Sequence, residues 1–148
     1  MHLIRTTSEN PDFESLVVLL DATLKILDGD EHAFYAQYNK TATLKNVVVY
    51  YENGKALGCG AFREYDSDSV EIKRMYVVPE QRGKGIAHQI LNELELWAKE
   101  LDYPSCILET GKKQVDAIGL YQKAGYQTIP NYGQYIGMEN SICMQKAI

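Results

Sequence analysis

Apolar residues recur along this chain in two rhythms, and the rhythm changes at identifiable breakers. From Asn10 to Asp28 the apolar positions are Phe13, Leu16, Val17, Leu20, Leu24 and Leu27, the three-to-four spacing of one face of a helix. Asn10-Pro11-Asp12 opens it with an N-cap, a proline at the first helical position and an acid in the first turn. Residues 31–40, with Phe34, Tyr35 and Tyr38, predict a short second helix. A period-two or β-branched pattern marks strands at residues 3–7, 47–51, 57–63, 70–78, 106–110, 126–129 and 141–145. Asn53-Gly54 is a hairpin signal, and 65–69 is a second turn, so 47–78 reads as a three-stranded antiparallel meander. Ile86, Ile90, Leu94, Trp97 and Leu101 mark a helix of about four to five turns. A last helix covers 116–123 and ends at Gly125. The predicted order is β-α-α-β-β-β-α-β-α-β-β, a mixed α/β chain in one domain.

The rest is organised around residues 70–101. A strand stops at Pro79, which has no N–H for a sheet ladder, and the chain then turns through Arg82-Gly83-Lys84-Gly85 into a helix. The first N–H groups of a helix lack internal partners, and the helix dipole favours negative charge there. Gly83 and Gly85 allow close backbone approach, and Arg82 and Lys84 add positive charge. The expected guest is a phosphate or pyrophosphate. A Walker A loop is excluded because the stretch reads RGKGIA, and the dinucleotide fingerprint is excluded because a third glycine is missing where His88 stands.

Composition narrows this further. At 148 residues the chain can build a full core. Its 15 basic and 20 acidic residues give a net charge of −5, which argues against nucleic acid or an anionic membrane as the main partner. No apolar run approaches the ~20 residues of a membrane span, and the N-terminus lacks a signal peptide's apolar stretch. Cys59, Cys106 and Cys143 read as core thiols in a reducing cytoplasm, with no metal site.

The loop resembles the acyl-CoA loop of the GNAT superfamily of N-acetyltransferases, R/Q-x-x-G-x-G/A, with Arg82, Gly85 and Ala87 in its places. The preceding strand, Pro79 and a later Leu120-Tyr121-x-x-x-Gly125-Tyr126 sit where that superfamily has them, and the resemblance covers about residues 47–144. It implies a central, mostly antiparallel mixed sheet of six to seven strands, splayed in the middle and flanked by about four helices. It also implies acetyl-CoA as cosubstrate. The backbone of Gly83, Lys84, Gly85, Ile86, Ala87 and His88 would hold the pyrophosphate, with Arg82 and Lys84 assisting. The strand edge at Met75, Tyr76 and Val77 would pair with the amide-bearing arm of CoA. Where many relatives carry a cofactor-binding Asn, seven residues before Tyr121, this chain has Gln114.

Acetyl transfer to an amine needs a proton acceptor for the amine, a donor for the oxyanion and a proton for the departing thiolate. The resemblance assigns Tyr121 as the acid; an ordinary tyrosine holds its proton at neutral pH. Two bases stay open, Glu71 in the organising strand and Glu109 at the end of the next, with a slight preference for Glu71; His32 is a distant third. The tyrosine-rich tail, 130–140, offers Tyr132 and Tyr135 as acceptor-site walls and Glu139 to attract a cationic amine. The acceptor is then a small-molecule amine or a peptide amine. A non-catalytic acyl-CoA-binding sensor is the alternative, a nucleotide-phosphate binder a weaker one, and a homodimer through a sheet edge is compatible with either.

Overall fold

The computed structural model describes residues 1–37 and 44–148, so Tyr38 and Lys40 of the expected second helix lie outside the described residues. Among those described, the chain order is β1 (His2–Thr6), α1 (Pro11–Asp28), α2 (His32–Ala36), β2 (Asn46–Glu52), β3 (Lys55–Asp66), β4 (Ser69–Val77), α3 (Ile86–Glu100), β5 (Ser105–Gly111), α4 (Val115–Lys123), β6 (Gln127–Ile129) and β7 (Ser141–Ala147). This is the expected order, and the strands form one seven-stranded sheet, β1-β2-β3-β4-β5-β7-β6. Three helices have at least nine residues, while α2 has five residues and follows a short 3₁₀ segment, so the expected set of about four helices is three full ones and a short one. No described helix is long and apolar enough to cross a membrane.

Local chemistry sets the elements. The Asn10 side chain accepts from the N–H of Asp12 at 2.8 Å and of Phe13 at 3.0 Å, capping α1 as its sequence implies. Asn53 and Gly54, both at positive φ, turn β2 into β3. Sheet order is not local: β7 inserts between β5 and β6, pairing antiparallel with both.

The feature that makes a site is the junction of β4 and β5, the one parallel pair among the described strands. They are paired only from Ser69–Ser105 to Glu71–Ile107. Beyond that point β4 stays with β3 and β5 stays with β7, and a gap opens between them. A bulge in β4 lies at the same level: Cys59 pairs with Tyr76 and Ala61 with Lys73, so β4 holds one extra residue, and Arg74 there has φ 59°.

One face of the sheet packs on α3 through Val48, Phe62, Val70, Ile72, Ile90, Leu91 and Leu94. The other face of the β1–β4 half packs on α1 through Phe13, Leu16, Val47, Val49 and Ala61. Close contact with α3 requires glycine on β3: a Cβ at Gly60 would lie 2.5 Å from Met75 Sδ and 2.9 Å from both Ile90 and Leu94. The tail packs on its own aromatics, with Tyr35 stacked on Tyr135 and Tyr132 edge-on to Tyr135. The three cysteines are buried and free of disulfides, and burial pushes Cys59 and Cys106 up to about 12, as inert core thiols require.

Candidate active site

The glycine loop lies at the end of β4. Gly83 and Gly85 have φ of 80° and 83°, a left-handed backbone that side-chain-bearing residues avoid. Nothing lies within 4 Å of a Cβ placed at either, so the loop surface is open. The first bond back along α3 runs from Gln89 N–H to Gly85 C=O at 3.1 Å. The N–H groups of Ile86, Ala87 and His88 therefore have no helical partner and face the same open ground. Arg82 ties the loop to the strand: its Nε donates to Val77 C=O at 2.8 Å and its guanidinium lies 5.4 Å from the Tyr76 ring centroid. Lys84 Nζ donates to Gln81 at 2.9 Å on the exposed surface. The residues fit a pyrophosphate: unpaired amides, open glycines and two cations on one turn.

Met75 lines the gap between β4 and β5, whereas the Tyr76 and Val77 side chains are buried, so that only their backbone edge is open to a ligand. Gln114 precedes α4, and its N–H donates to Gly111 C=O at 3.0 Å; it too lines the gap. His88 is exposed in the first turn of α3, beside the loop.

The gap continues into a cleft whose lining includes Asp28, Tyr35, Glu71, Lys73, Arg74, Glu109, Tyr121 and Tyr135. Both predicted glutamates are in it, since Glu71 and Glu109 are on neighbouring strands and point from the same sheet face. Their surroundings differ. Glu71 is 1% exposed, and both of its oxygens are engaged: Arg63 Nε donates to Oε1 at 3.0 Å and Tyr132 Oη to Oε2 at 2.6 Å. Glu109 is only half-buried, and its carboxyl is pushed up to about 7, first by burial, with the Ser141 hydroxyl and Lys73 pulling it back down. Lys73 is itself driven downward by burial, opposed by Glu71 and Glu109. Arg74, almost fully buried, is bridged to Asp21 with Nη1–Oδ1 at 2.8 Å.

Tyr121 is buried on α4, edge-on to Tyr126 at 5.8 Å, and its hydroxyl is pushed upward by burial and then by the negative charge of Glu109. The tyrosine therefore keeps its proton in this site. Tyr135, 1% exposed, lines the cleft. Tyr132 acts instead as the clasp on Glu71, and its ring stands edge-on to Tyr65 at 5.1 Å. Glu139 is exposed and outside the lining. His32 sits beside Asp28, with Nδ1 3.6 Å from Oδ2. Sequence reasoning missed Arg63, Lys73, Arg74 and Asp28. For Lys73 and Arg74 the signal was charge in the run Glu71-Ile72-Lys73-Arg74, where a half-buried strand would carry fewer ionisable groups; Arg63 and Asp28 had none.

The acetyltransferase (GNAT) family model matches residues 13–126. The chain is 32% identical to the IAA acetyltransferase of Azospirillum brasilense over 102 residues, 68% of this chain and 67% of that protein. The chain spans about half to two-thirds of the length of three of the curated relatives it matches, and 28% of another. Among solved structures it is similar to a Klebsiella pneumoniae protein named as an acyl-CoA N-acyltransferase, with TM-score 0.83 and 29% identity over 99% of this chain and 96% of that one. A GNAT family acetyltransferase from Elizabethkingia anophelis, solved with acetyl-CoA bound, shares the fold at TM-score 0.69 and 21% identity, over 99% of this chain and 97% of that one. With the glycine loop, the splayed strands and a family match over most of its length, the chain belongs to the GNAT family of acetyltransferases.

Proposed function

We propose that this chain transfers an acetyl group from acetyl-CoA directly to the primary amine of an acceptor. The observation that carries the reading is the meeting of a carboxyl tuned to about 7, Glu109, with a proton-holding tyrosine, Tyr121, in the gap between β4 and β5. Acetyl-CoA supplies the activated acetyl thioester. The amides of Ile86, Ala87 and His88, the Gly83–Lys84–Gly85 turn and Arg82 hold its pyrophosphate; the open edge of Met75, Tyr76 and Val77 orients its arm, with Gln114 alongside.

Glu109, rather than Glu71, takes the proton from the acceptor nitrogen. A base working near neutral pH needs a carboxylate pKa close to that range, which Glu109 has. Glu71 already receives hydrogen bonds from Arg63 and Tyr132, which engage both its oxygens and leave it positioning the cleft floor. The nitrogen, freed of its proton, attacks the thioester carbon. The N–C bond forms, the C–S bond breaks, and the leaving sulfur receives the Tyr121 proton.

The test is calorimetric titration of CoA into the protein together with thiol release from acetyl-CoA across a panel of amines. Heat with CoA and thiol release that depends on amine support the reading. CoA binding without thiol release across a broad panel would leave a sensor, and absence of heat would remove the cosubstrate.

A further inference from the structure

Asp28 ends α1 and lines the cleft, and it is an unusual place for a carboxylate. It is 8% exposed, so more than nine-tenths of it is withdrawn from water. Among the described residues the basic atom at ion-pair range of its side chain is His32 Nδ1 at 3.6 Å, too long for a hydrogen bond, and that atom is itself buried without a hydrogen-bond partner. Asp28 also sits at the negative end of the helix dipole, where an acid is disfavoured and a cation favoured. Lys113, on the exposed turn after β5, acts on it only through space. The other ions of the cleft have charged neighbours inside it or at its edge. Glu71 is held by Arg63, Arg74 by Asp21, and Lys73 feels both Glu71 and Glu109. Among the described residues no lysine or arginine lies within ion-pair distance of Asp28, and His32 is its one basic neighbour at that range. The rings of Tyr35 and Tyr135 stand in the same lining, and aromatic faces attract ammonium groups.

We infer that Asp28 receives a second cationic group of the acceptor, distinct from the nitrogen that is acetylated, so that the preferred acceptor is a small diamine. The distinction follows from acid–base chemistry. A carboxylate paired with the attacking nitrogen would stabilise its ammonium form and hold on the proton that must leave. Glu109 removes that proton at one part of the cleft, while Asp28 grips a charge that remains. The inference rests on the acetyl-transfer reading above for its location, and deepens it.

The test compares diaminobutane and diaminopentane with butylamine and pentylamine as acceptors, in the wild type and in Asp28→Asn and Asp28→Glu. A charged hydrogen bond to a desolvated carboxylate predicts kcat/KM for the diamines about ten- to hundredfold above the matched monoamines. Asp28→Asn should collapse that ratio to within about threefold, and Asp28→Glu should restore most of it. CoA binding by calorimetry reports whether each variant is folded. Equal kcat/KM for diamines and monoamines in the wild type, or an equal loss for both in Asp28→Asn, would overturn the inference. If no amine releases thiol, diaminobutane is titrated into the protein–CoA complex. Heat that disappears in Asp28→Asn keeps the diamine site and sinks the transfer reading; absence of heat in the wild type sinks the diamine site.

Discussion

Replacing Glu109 with Gln separates the electrostatic cost of this residue from its use. Burial moves its pKa from 4.5 to about 7, and Ser141, Lys73, Asp28 and Glu71 all act on it. Tyr121 and Tyr135 feel its charge in return. A tenfold change in a proton's affinity corresponds to about 1.4 kcal/mol, so holding the ionised form in the folded chain costs about 3 kcal/mol relative to the unfolded one. Because the folded value is the higher one, no penalty exists below 4.5, where both states carry the proton. Between 4.5 and about 7 the unfolded chain ionises first, and stability falls as pH rises across that window. Glu109→Gln cannot ionise, so it should lack this fall. At about pH 8 it should be more stable than the wild type by up to about 3 kcal/mol, a figure that already includes the attraction to Lys73, and at about pH 4 the two should converge. Urea denaturation followed at several pH values reads this directly. The same variant should lose about a hundred- to ten-thousandfold in turnover, together with the wild type's rise in kcat/KM through a pKa near 7. A variant that keeps that limb, or whose stability tracks the wild type at every pH, refutes the assignment of base and of environment together.

Tyr121→Phe should reduce kcat by about a hundredfold while leaving CoA affinity within about threefold, because it removes the proton for the leaving sulfur and little of the binding surface. Gly85→Val should lower CoA affinity and delay the start of α3, since φ of 83° disfavours a side chain by about 1–2 kcal/mol and a branched one stands in the ligand's path; calorimetry and circular dichroism read the two effects. Gly60→Ala should destabilise the chain by about 1–3 kcal/mol in thermal or urea unfolding, because its Cβ meets Met75, Ile90 and Leu94 inside contact distance.

Much of this molecule is legible from its sequence, and the legible parts are those set within a few residues. The Asn10-Pro11 cap, the Asn53-Gly54 turn and the stop at Pro79 each act on their neighbours alone. The glycine loop proposed for the pyrophosphate belongs with them, since open amides and left-handed glycines are properties of one turn and its helix. Periodicity likewise identified most of the buried faces of α1 and α3, because 3.6 residues per turn leaves little choice; Leu101, expected on the α3 face, instead caps the helix and stands 49% exposed. Glu71 and Glu109 look alike in the sequence, both acids in strands. They part only in three dimensions, where Arg63 arrives from β3 and Tyr132 from the tail to clasp one of them, while the splay of β4 from β5 leaves the other half-buried. Asp28 reads as an ordinary helix end beside Gly29, and the packed tertiary structure alone withdraws it from water without giving it, among the described residues, a close lysine or arginine. Local preference decides where elements begin and end, but the charge a side chain can carry depends on what lies within a few ångströms of it. In this chain those neighbours come from distant segments.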